Sequence, residues 1–199
     1  IGQPLPNPIC LIVCILMYVP FSGLRSQSGD TFYYIHDFLI VEKNGTIDYE
    51  FSGGTLYNLI FEIVKETVDD YHYLIMISAI ISLVPVLVVL YKYSHPFDLS
   101  VYLFMATGYF GLSMNGIRQY MATGVLMLGT GFLFSTKRSA IIKYAVVVFL
   151  AWTIHKSALI MIFVFIFVRR KAWKPSSFLL MFGSIVAVSL FDMILPSFL

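Results

Sequence analysis

Arg118 lies in an apolar stretch of the sequence, three residues after Asn115 and directly before Gln119. In a helix, spacings of three and four residues place these three side chains on one face. A guanidinium is a planar fork of donors that suits a phosphate or a carboxylate, and neighbouring amides suit sugar hydroxyls. A charge at membrane depth is costly without such a partner, so this face is a candidate ligand site. The alternatives are that Arg118 neutralises an acid on another helix or extends to the membrane surface.

His155 and Lys156 form a second candidate pair, at the centre of another apolar run. Histidine exchanges a proton near neutral pH, and the charge of Lys156 beside it favours the neutral imidazole that acts as a base. The structural alternatives are that His155 bonds the backbone at a helix break and that Lys156 extends to lipid headgroups.

Arg25 and Asp30 flank a third candidate feature, the polar turn 26–29 that follows the first apolar run. The pattern is typical of a turn that enters a short helix, and Asp30 is then either an N-cap or a catalytic carboxylate.

Motifs of soluble enzymes are missing from the sequence, which has no P-loop, G-x-G-x-x-G, G-x-S-x-G or H-E-x-x-H. Asp69, Asp70 and His72 match no metal template, and charges at a helix end are the better interpretation. The sequence therefore predicts neither a metal centre nor a cofactor.

The composition indicates what must position these side chains. Of the 199 residues, 59% are hydrophobic and only 12% are charged, with a mean hydropathy of +0.85. Soluble domains carry about twice that share of charge, and the 13 basic residues against 11 acidic ones leave no basic surface for nucleic acid. Cys10 and Cys14 lie one turn apart in an apolar run and are predicted to act as small apolar side chains. The chain is predicted to be an integral membrane protein.

Apolar runs of span length occur at residues 8–24 and 71–91, since a bilayer core takes roughly 20 helical residues to cross. Nine of the 11 acidic residues fall between them, in segment 25–70. The basic residues cluster elsewhere: Lys92, then Lys137, Arg138 and Lys143, then Arg169, Arg170, Lys171 and Lys174. The positive-inside rule places these clusters in the cytoplasm and segment 25–70 outside.

Two apolar runs then begin and end on the cytoplasmic side. Run 101–134 is too long for one span and suits two shorter helices broken at Met114-Asn115-Gly116. Run 144–168 has His155 and Lys156 at its centre and is interpreted as a re-entrant hairpin. We therefore expect an all-α, polytopic membrane bundle with broken or re-entrant helices. Residues 1–199 would be a single membrane domain, a fragment of a longer polytopic chain.

An amphipathic helix is predicted within the loop 25–70. Its apolar face would be Leu56, Leu59, Ile60, Ile63 and Val64, and its polar face Asn58, Glu62, Lys65 and Glu66. Such a helix lies in the membrane interface. Glycines in the third run are predicted to allow close helix packing, and these are Gly108, Gly111, Gly124, Gly129 and Gly131.

Three ordered motifs resemble the EpsG-type branch of the Wzy-like polysaccharide polymerases. The first is Gly23-Leu24-Arg25 with Ser28-Gly29-Asp30-Thr31, Tyr34 and Phe38. The second is Asn115-x-Ile117-Arg118-Gln119-x-x-Ala122, and the third is His155-Lys156-Ser157-Ala158-Leu159. The chain departs from the family at Glu50-Phe51-Ser52-Gly53, where a tighter Glu-Pro-Gly-aromatic turn is expected, so Glu50 is given no role.

The resemblance implies a metal-independent glycosyltransferase, multi-pass in the bacterial cytoplasmic (inner) membrane. It would join oligosaccharide repeat units carried on undecaprenyl diphosphate, on the outer side, into exopolysaccharide, capsule or O-antigen. Arg25, Arg118 and Lys156 would bind the diphosphate, and His155 or Asp30 would be the base. Asn115, Gln119 and Tyr34 would contact the sugars.

The partners implied are the lipid bilayer, the lipid-linked oligosaccharide, and polysaccharide export and chain-length proteins; no nucleic acid is expected. The competing hypotheses are a glycan ligase that uses the same carrier and a transporter or flippase, whose substrate paths also have broken helices and buried charges. A membrane acyltransferase that uses His155 is a third.

Overall fold

The structure, a computed structural model, describes residues 5–42, 54–168 and 174–190. All regular structure in these ranges is helical, which confirms the all-α prediction there. The helices are α1 Pro8–Gly23, α2 Thr31–Ile40, α3 Thr55–Thr67, α4 Tyr71–Tyr93, α5 Phe97–Ala106, α6 Tyr109–Ser113, α7 Ile117–Leu128, α8 Thr130–Leu133, α9 Ser139–Trp152, the 3₁₀ helix Lys156–Ile160, α10 Met161–Val168 and α11 Pro175–Ser189. Glu50 and three of the predicted cytoplasmic basic residues, Arg169, Arg170 and Lys171, lie outside the described residues.

The chain divides into two compact units, Ile1–Ile162 and Phe163–Leu199. The three predicted motifs all fall in the first unit. In the second, α11 is a 15-residue apolar helix that begins with Pro175 in its first turn, a position that the missing proline N–H tolerates. A single membrane domain remains a prediction.

Helix α4 is the one helix of the described chain that is long and apolar enough to cross a membrane. It has 23 residues and a mean hydropathy of 2.7, and it matches the predicted run 71–91. Asp70 caps its first turn by accepting from the N–H of His72 at 2.9 Å and from the His72 ring at 2.8 Å, which lowers the pKa of Asp70. Helix α1, with 16 residues, matches the start of the other predicted span.

Helix α4 packs against α1 on one side and α7 on the other. At the crossing with α7, a Cβ on Gly124 would overlap the backbone of Ile81 and Ser82, so the two helices approach within the space of a missing side chain. Gly124 therefore confirms the packing prediction. For Gly108 and Gly111 the prediction is wrong, because a Cβ would have open space at both.

Run 101–134 is broken at Met114-Asn115-Gly116 as predicted, between α6 and α7. It also breaks between α5 and α6 and between α7 and α8, so that no piece exceeds 12 residues. Gly108 and Gly116 precede α6 and α7 with φ of 79° and 68°, a left-handed conformation that glycine adopts without strain.

Run 144–168 is also broken as predicted, between Trp152 and Lys156. After the break the chain turns back along α9, because the hydroxyl of Tyr144 donates to the carbonyl of Met161 at 3.3 Å. Ile154 and Ala158 are buried beside the start of α7. The hairpin is thus confirmed as far as Met161, and its re-entry into a membrane remains a prediction.

Helix α3 confirms the helix predicted in the loop, but one detail of its faces is wrong. On the predicted apolar face, Leu59 and Ile63 are 44% and 53% exposed, which agrees with an interfacial helix. Lys65, predicted on the polar face, is 8% exposed. Its Nζ donates to the carbonyl of Phe38 at 3.0 Å and pairs with Asp69 at 2.8 Å, which offsets the desolvation of the ammonium group. Lys65 thereby joins α3 to α2.

Candidate functional site

The polar turn after α1 and the break before α7 are joined by two reciprocal hydrogen bonds. The backbone N–H of Asp30 donates to Oδ1 of Asn115 at 3.0 Å, and the N–H of Gly116 donates to Oδ2 of Asp30 at 2.8 Å. We call this pair of bonds the first tie. It brings the first and second sequence motifs together across 86 residues of chain.

Asp30 stands at the N-cap position of α2 but makes no side-chain capping bond. Its Oδ2 accepts from Gly116, and its Oδ1 is buried with no hydrogen-bond partner among the described residues. Burying a carboxylate oxygen without a hydrogen-bond donor costs free energy. Oδ1 of Asp30 is therefore an acceptor that a donor group of a ligand can satisfy. The alternative prediction, that Asp30 is the N-cap of α2, is therefore right about the position of the residue and wrong about its side chain, which makes no bond to that helix end.

The guanidinium of Arg25 is held by two buried hydroxyl residues. Its Nε donates to Oγ1 of Thr31 at 2.8 Å, and its Nη1 donates to Oγ of Ser22 at 2.7 Å and to the Ser22 carbonyl. Among the described residues no hydrogen bond uses Nη2. Burial lowers the pKa of Arg25 to about 10, and the nearby charge of Asp30 opposes that shift. Arg25 is thus a cation held in place, and its Nη2 group remains available as a hydrogen-bond donor.

Arg118 lies in the first turn of α7, against the start of α3. Its Cζ is 5.1 Å from the ring centroid of Tyr57, and a Cβ on Gly54 would overlap its Nη2. The hydroxyl of Tyr34 is near as well: burial and Asp30 raise the pKa of Tyr34, while the backbone N–H and the charge of Arg118 lower it. Gly54 and Tyr57 therefore border the guanidinium, and Tyr34 lies beside the backbone of Arg118.

The break after α9 is joined to α3 by a backbone hydrogen bond, which we call the second tie. The N–H of Leu56 donates to the carbonyl of Thr153 at 2.8 Å. Two residues later, His155 leads into the 3₁₀ helix with extended backbone and a half-buried side chain. Burial and the charge of Arg118 lower the pKa of His155, which favours the neutral imidazole that can act as a base.

Six of the eight predicted site residues therefore gather around the two ties, and we call them the polar cluster: Arg25, Asp30, Tyr34, Asn115, Arg118 and His155. The other two are less engaged. Lys156 is exposed and has no hydrogen bond or ion pair with the described residues. Gln119 is exposed and folds back over Gly116, with its Oε1 3.5 Å from where a Cβ there would lie. The roles assigned to all eight residues remain predictions.

The polar cluster can bind an anion and move a proton. Arg25 and Arg118 present fixed positive charge, His155 offers a neutral imidazole, and the Asn115 side chain is exposed. The described residues contain no group of His, Cys, Asp or Glu that is arranged to hold a metal ion.

Residues that the sequence analysis missed are those that support the polar cluster. Ser22 and Thr31 hold Arg25, while Gly54 and Tyr57 border Arg118. Two features of the sequence point to them: Thr31 stands in the first motif, without an assigned role, and Gly54 lies directly before a helix, where glycine is common at any helix boundary.

A comparison with known families adds one finding. The model of the EpsG family matches residues 8–199 and so covers all three motifs. No curated protein and no solved structure matches the chain.

Proposed function

We propose, because the chain belongs to the EpsG family and that family is linked to polysaccharide biosynthesis, that it is a polysaccharide polymerase of the bacterial cytoplasmic membrane. It lengthens a glycan by joining oligosaccharide repeat units carried on undecaprenyl diphosphate. The reaction takes place at the outer surface of the membrane, and its products are exopolysaccharide, capsule or O-antigen.

The proposed arrangement in the membrane is multi-pass. Helix α4 has the length of a span, and α1, α5 and α9 are shorter apolar helices. Helices α2 and α3 would lie at the outer interface, because exposed apolar side chains lie on both, among them Phe32, Leu39, Leu59 and Ile63. A helix break leaves backbone N–H and C=O groups without helical partners. Such a break is tolerated at membrane depth where protein covers these groups.

The convergence of the three motifs is the observation that carries the proposal. The first tie joins the first motif to the second, and the charge of Arg118 acts on His155 of the third. Two cations, a neutral imidazole and exposed amide groups therefore lie together in a chain otherwise poor in charge. This set matches the needs of a reaction that expels a diphosphate and deprotonates a hydroxyl.

In the proposed reaction, His155 accepts the proton of a hydroxyl on the incoming lipid-linked unit. The hydroxyl oxygen attacks the anomeric carbon that links the growing chain to its carrier, and the bond from that carbon to the diphosphate oxygen breaks. Undecaprenyl diphosphate leaves with the electron pair, and Arg25 and Arg118 stabilise the developing negative charge.

The test is incubation of the purified protein in lipid nanodiscs with synthetic lipid-linked repeat units, followed by mass analysis of the glycan. We expect longer chains from the wild type and from Lys137→Ala, which removes an exposed cation outside the polar cluster. We expect a loss of about 100-fold in Arg118→Ala, the scale of losing one preorganised electrostatic contact. Undiminished lengthening by Arg118→Ala would end its role at the diphosphate. Transfer to an unrelated acceptor, or transport without a new bond, would contradict the polymerase.

The base is identified by comparing His155→Ala with Asp30→Asn. The asparagine keeps an oxygen that accepts from Gly116, so the first tie survives, but it cannot take a proton at neutral pH. If His155 is the base, His155→Ala loses lengthening and Asp30→Asn retains it. The reverse result would assign the base to Asp30.

A further inference from the structure

An apolar groove of about 480 Å³ runs along α1, on the side that faces α5. Its walls include Cys10, Cys14 and Tyr18 of α1 and Val101 and Met105 of α5. Tyr18 bridges the two helices, because its hydroxyl lies 3.8 Å from the sulfur of Met105. A second cavity, of about 260 Å³, shares Cys14, Tyr18 and Met105 and extends the groove along α1.

Along the chain, both walls of the groove lead toward residues of the polar cluster. At this end the groove is bounded by Phe21 of α1 and Phe110 of α6, whose rings lie 5.8 Å apart. The first wall leads along the chain to Arg25, and the second leads to Asn115. From Cys10 to Phe21 the groove follows α1 for about 17 Å. It is therefore a mostly apolar groove, and Arg25 follows its last α1 residue, Phe21, by four positions.

The charges near the groove are unequal at its two ends. Asp98, the one charged residue of its lining, lies in the part near Cys10, away from Phe21. Arg25 lies beyond Phe21, with Nη2 not bonded to any described residue. An amphiphile with a negative head and a long tail is therefore favoured in one direction only, with its head at Arg25 and its tail toward Asp98.

We propose that this groove holds the first isoprenoid units of a polyprenyl diphosphate, with the diphosphate at Arg25 and Arg118. The assignment of the head rests on the proposed function, and the assignment of the tail rests on the groove. Methionine side chains at two of its positions, Met17 and Met105, adapt to a flexible chain.

The groove fixes the position of the lipid tail and adds little to the binding affinity of the lipid. A tail that moves from lipid into protein exchanges one apolar surface for another, so its transfer yields little free energy. What the groove supplies is register, because a tail that lies along α1 brings the diphosphate to a fixed place beside Arg25.

The experiment uses a polyprenyl diphosphate that carries a photoreactive diazirine in its first isoprenoid units. The purified protein in nanodiscs is irradiated with this probe, and labelled peptides are mapped by mass spectrometry. We expect labels on residues 10–21 and 97–106. Unlabelled undecaprenyl diphosphate at about ten times its Kd should reduce them about tenfold by mass action. Undecaprenol, which lacks the anionic head, should compete far less.

The matched control is a phospholipid with the same diazirine, which should label α1 on all its lipid-facing sides and resist competition. Labels that undecaprenol removes as well as the diphosphate does would overturn the proposal, since any hydrocarbon chain would then fill the groove. Absence of labels from α1 and α5 would overturn it too.

A variant pair checks the groove independently of the probe. Met105→Trp fills the groove, and Leu16→Trp adds the same ring to an exposed side of α1 that does not line it. Only Met105→Trp should lose the groove labels, and Val101→Phe is the smaller replacement if that protein fails to fold. Labelling without glycan lengthening would keep the groove and reject the polymerase, whereas lengthening without labelling would do the opposite.

Discussion

The two helix breaks of the polar cluster are held by different kinds of bond. At the break before α7, the first tie uses the side chains of Asp30 and Asn115, and each bonds to backbone of the other segment. At the break after α9, the second tie runs from the backbone N–H of Leu56 to the carbonyl of Thr153. The first break therefore depends on residue types, and the second depends on the path of the chain.

The two breaks therefore differ in what a substitution does to them. Side-chain ties can be lost by a single substitution, so the first break carries a strict sequence requirement next to Arg118. A backbone tie tolerates almost any residue, so the second break can place His155 while the residues of α3 vary. Gly54 lies next to both breaks. It borders Arg118, in the helix that follows the first break, and it lies two residues before Leu56 of the second tie.

The largest effect is expected from Gly54→Ala, which disturbs both breaks at once. The new Cβ overlaps Nη2 of Arg118, and Gly54 has a φ of 154°, where a side chain adds strain. Displacement of a positioning cation by an ångström costs about 100-fold in rate, so we expect that loss in glycan lengthening. Gly111→Ala is the control, because its Cβ meets open space. Equal rates in the two variants would show that the position of Arg118 is unimportant.

The next effect is expected from Asp30→Ala, which removes one of the two bonds of the first tie and leaves the second tie intact. The N–H of Gly116 loses its acceptor, and an unsatisfied buried donor costs about 1–3 kcal/mol. We expect faster amide exchange at Gly116 and a lower free energy of unfolding in detergent. Asp30→Asn should restore most of both, and Asp37→Ala, on an exposed face of α2, should change neither. Unchanged exchange at Gly116 would contradict the first tie.

A smaller effect is expected from Leu56→Pro, which breaks only the second tie. Proline removes the N–H that bonds to Thr153, yet the first turn of a helix accepts it. Loss of one hydrogen bond lowers stability by about 0.5–1.5 kcal/mol. Leu56→Ala removes the side chain but keeps the N–H, so the difference between the two variants measures the tie. If they have the same free energy of unfolding, the backbone bond is not what joins α3 to the break.

The smallest effect is expected on the pKa of His155. Burial and then the charge of Arg118 lower its pKa, so Arg118→Gln should raise the pKa by removing the second cause. NMR of ¹⁵N-labelled histidine, with Lys137→Gln as the control, measures the shift. A pKa that falls or stays constant in Arg118→Gln would mean that the two breaks do not communicate through charge.

The sequence predicts the breaks better than the ties. Asn115-Gly116 interrupts an apolar run that is too long for one span, and a single crossing of run 144–168 would place His155 and Lys156 at mid-bilayer, so helix ends are expected at both. Nothing in a single sequence links Asp30 to Gly116, because a side-chain bond across 86 residues leaves no local pattern.

The faces of α3 illustrate the same limit. Its helical period is visible in the sequence, but which face is buried depends on α2, which packs over it. Lys65 is buried because the carbonyl of Phe38 lies within reach of its ammonium group. That carbonyl belongs to another helix, and a pattern of polar and apolar residues does not encode it.

The second tie has a consequence for the synthesis of the protein. Leu56 leaves the ribosome about 100 residues before Thr153, which at 5–20 residues per second corresponds to roughly 5 to 20 seconds. During that interval α3 has been made and its partner at the second tie has not. The N–H of Leu56 therefore bonds to water or to another group until the break after α9 has been made. The second tie, and with it the position of His155 in the polar cluster, forms only after residue 153 has left the ribosome.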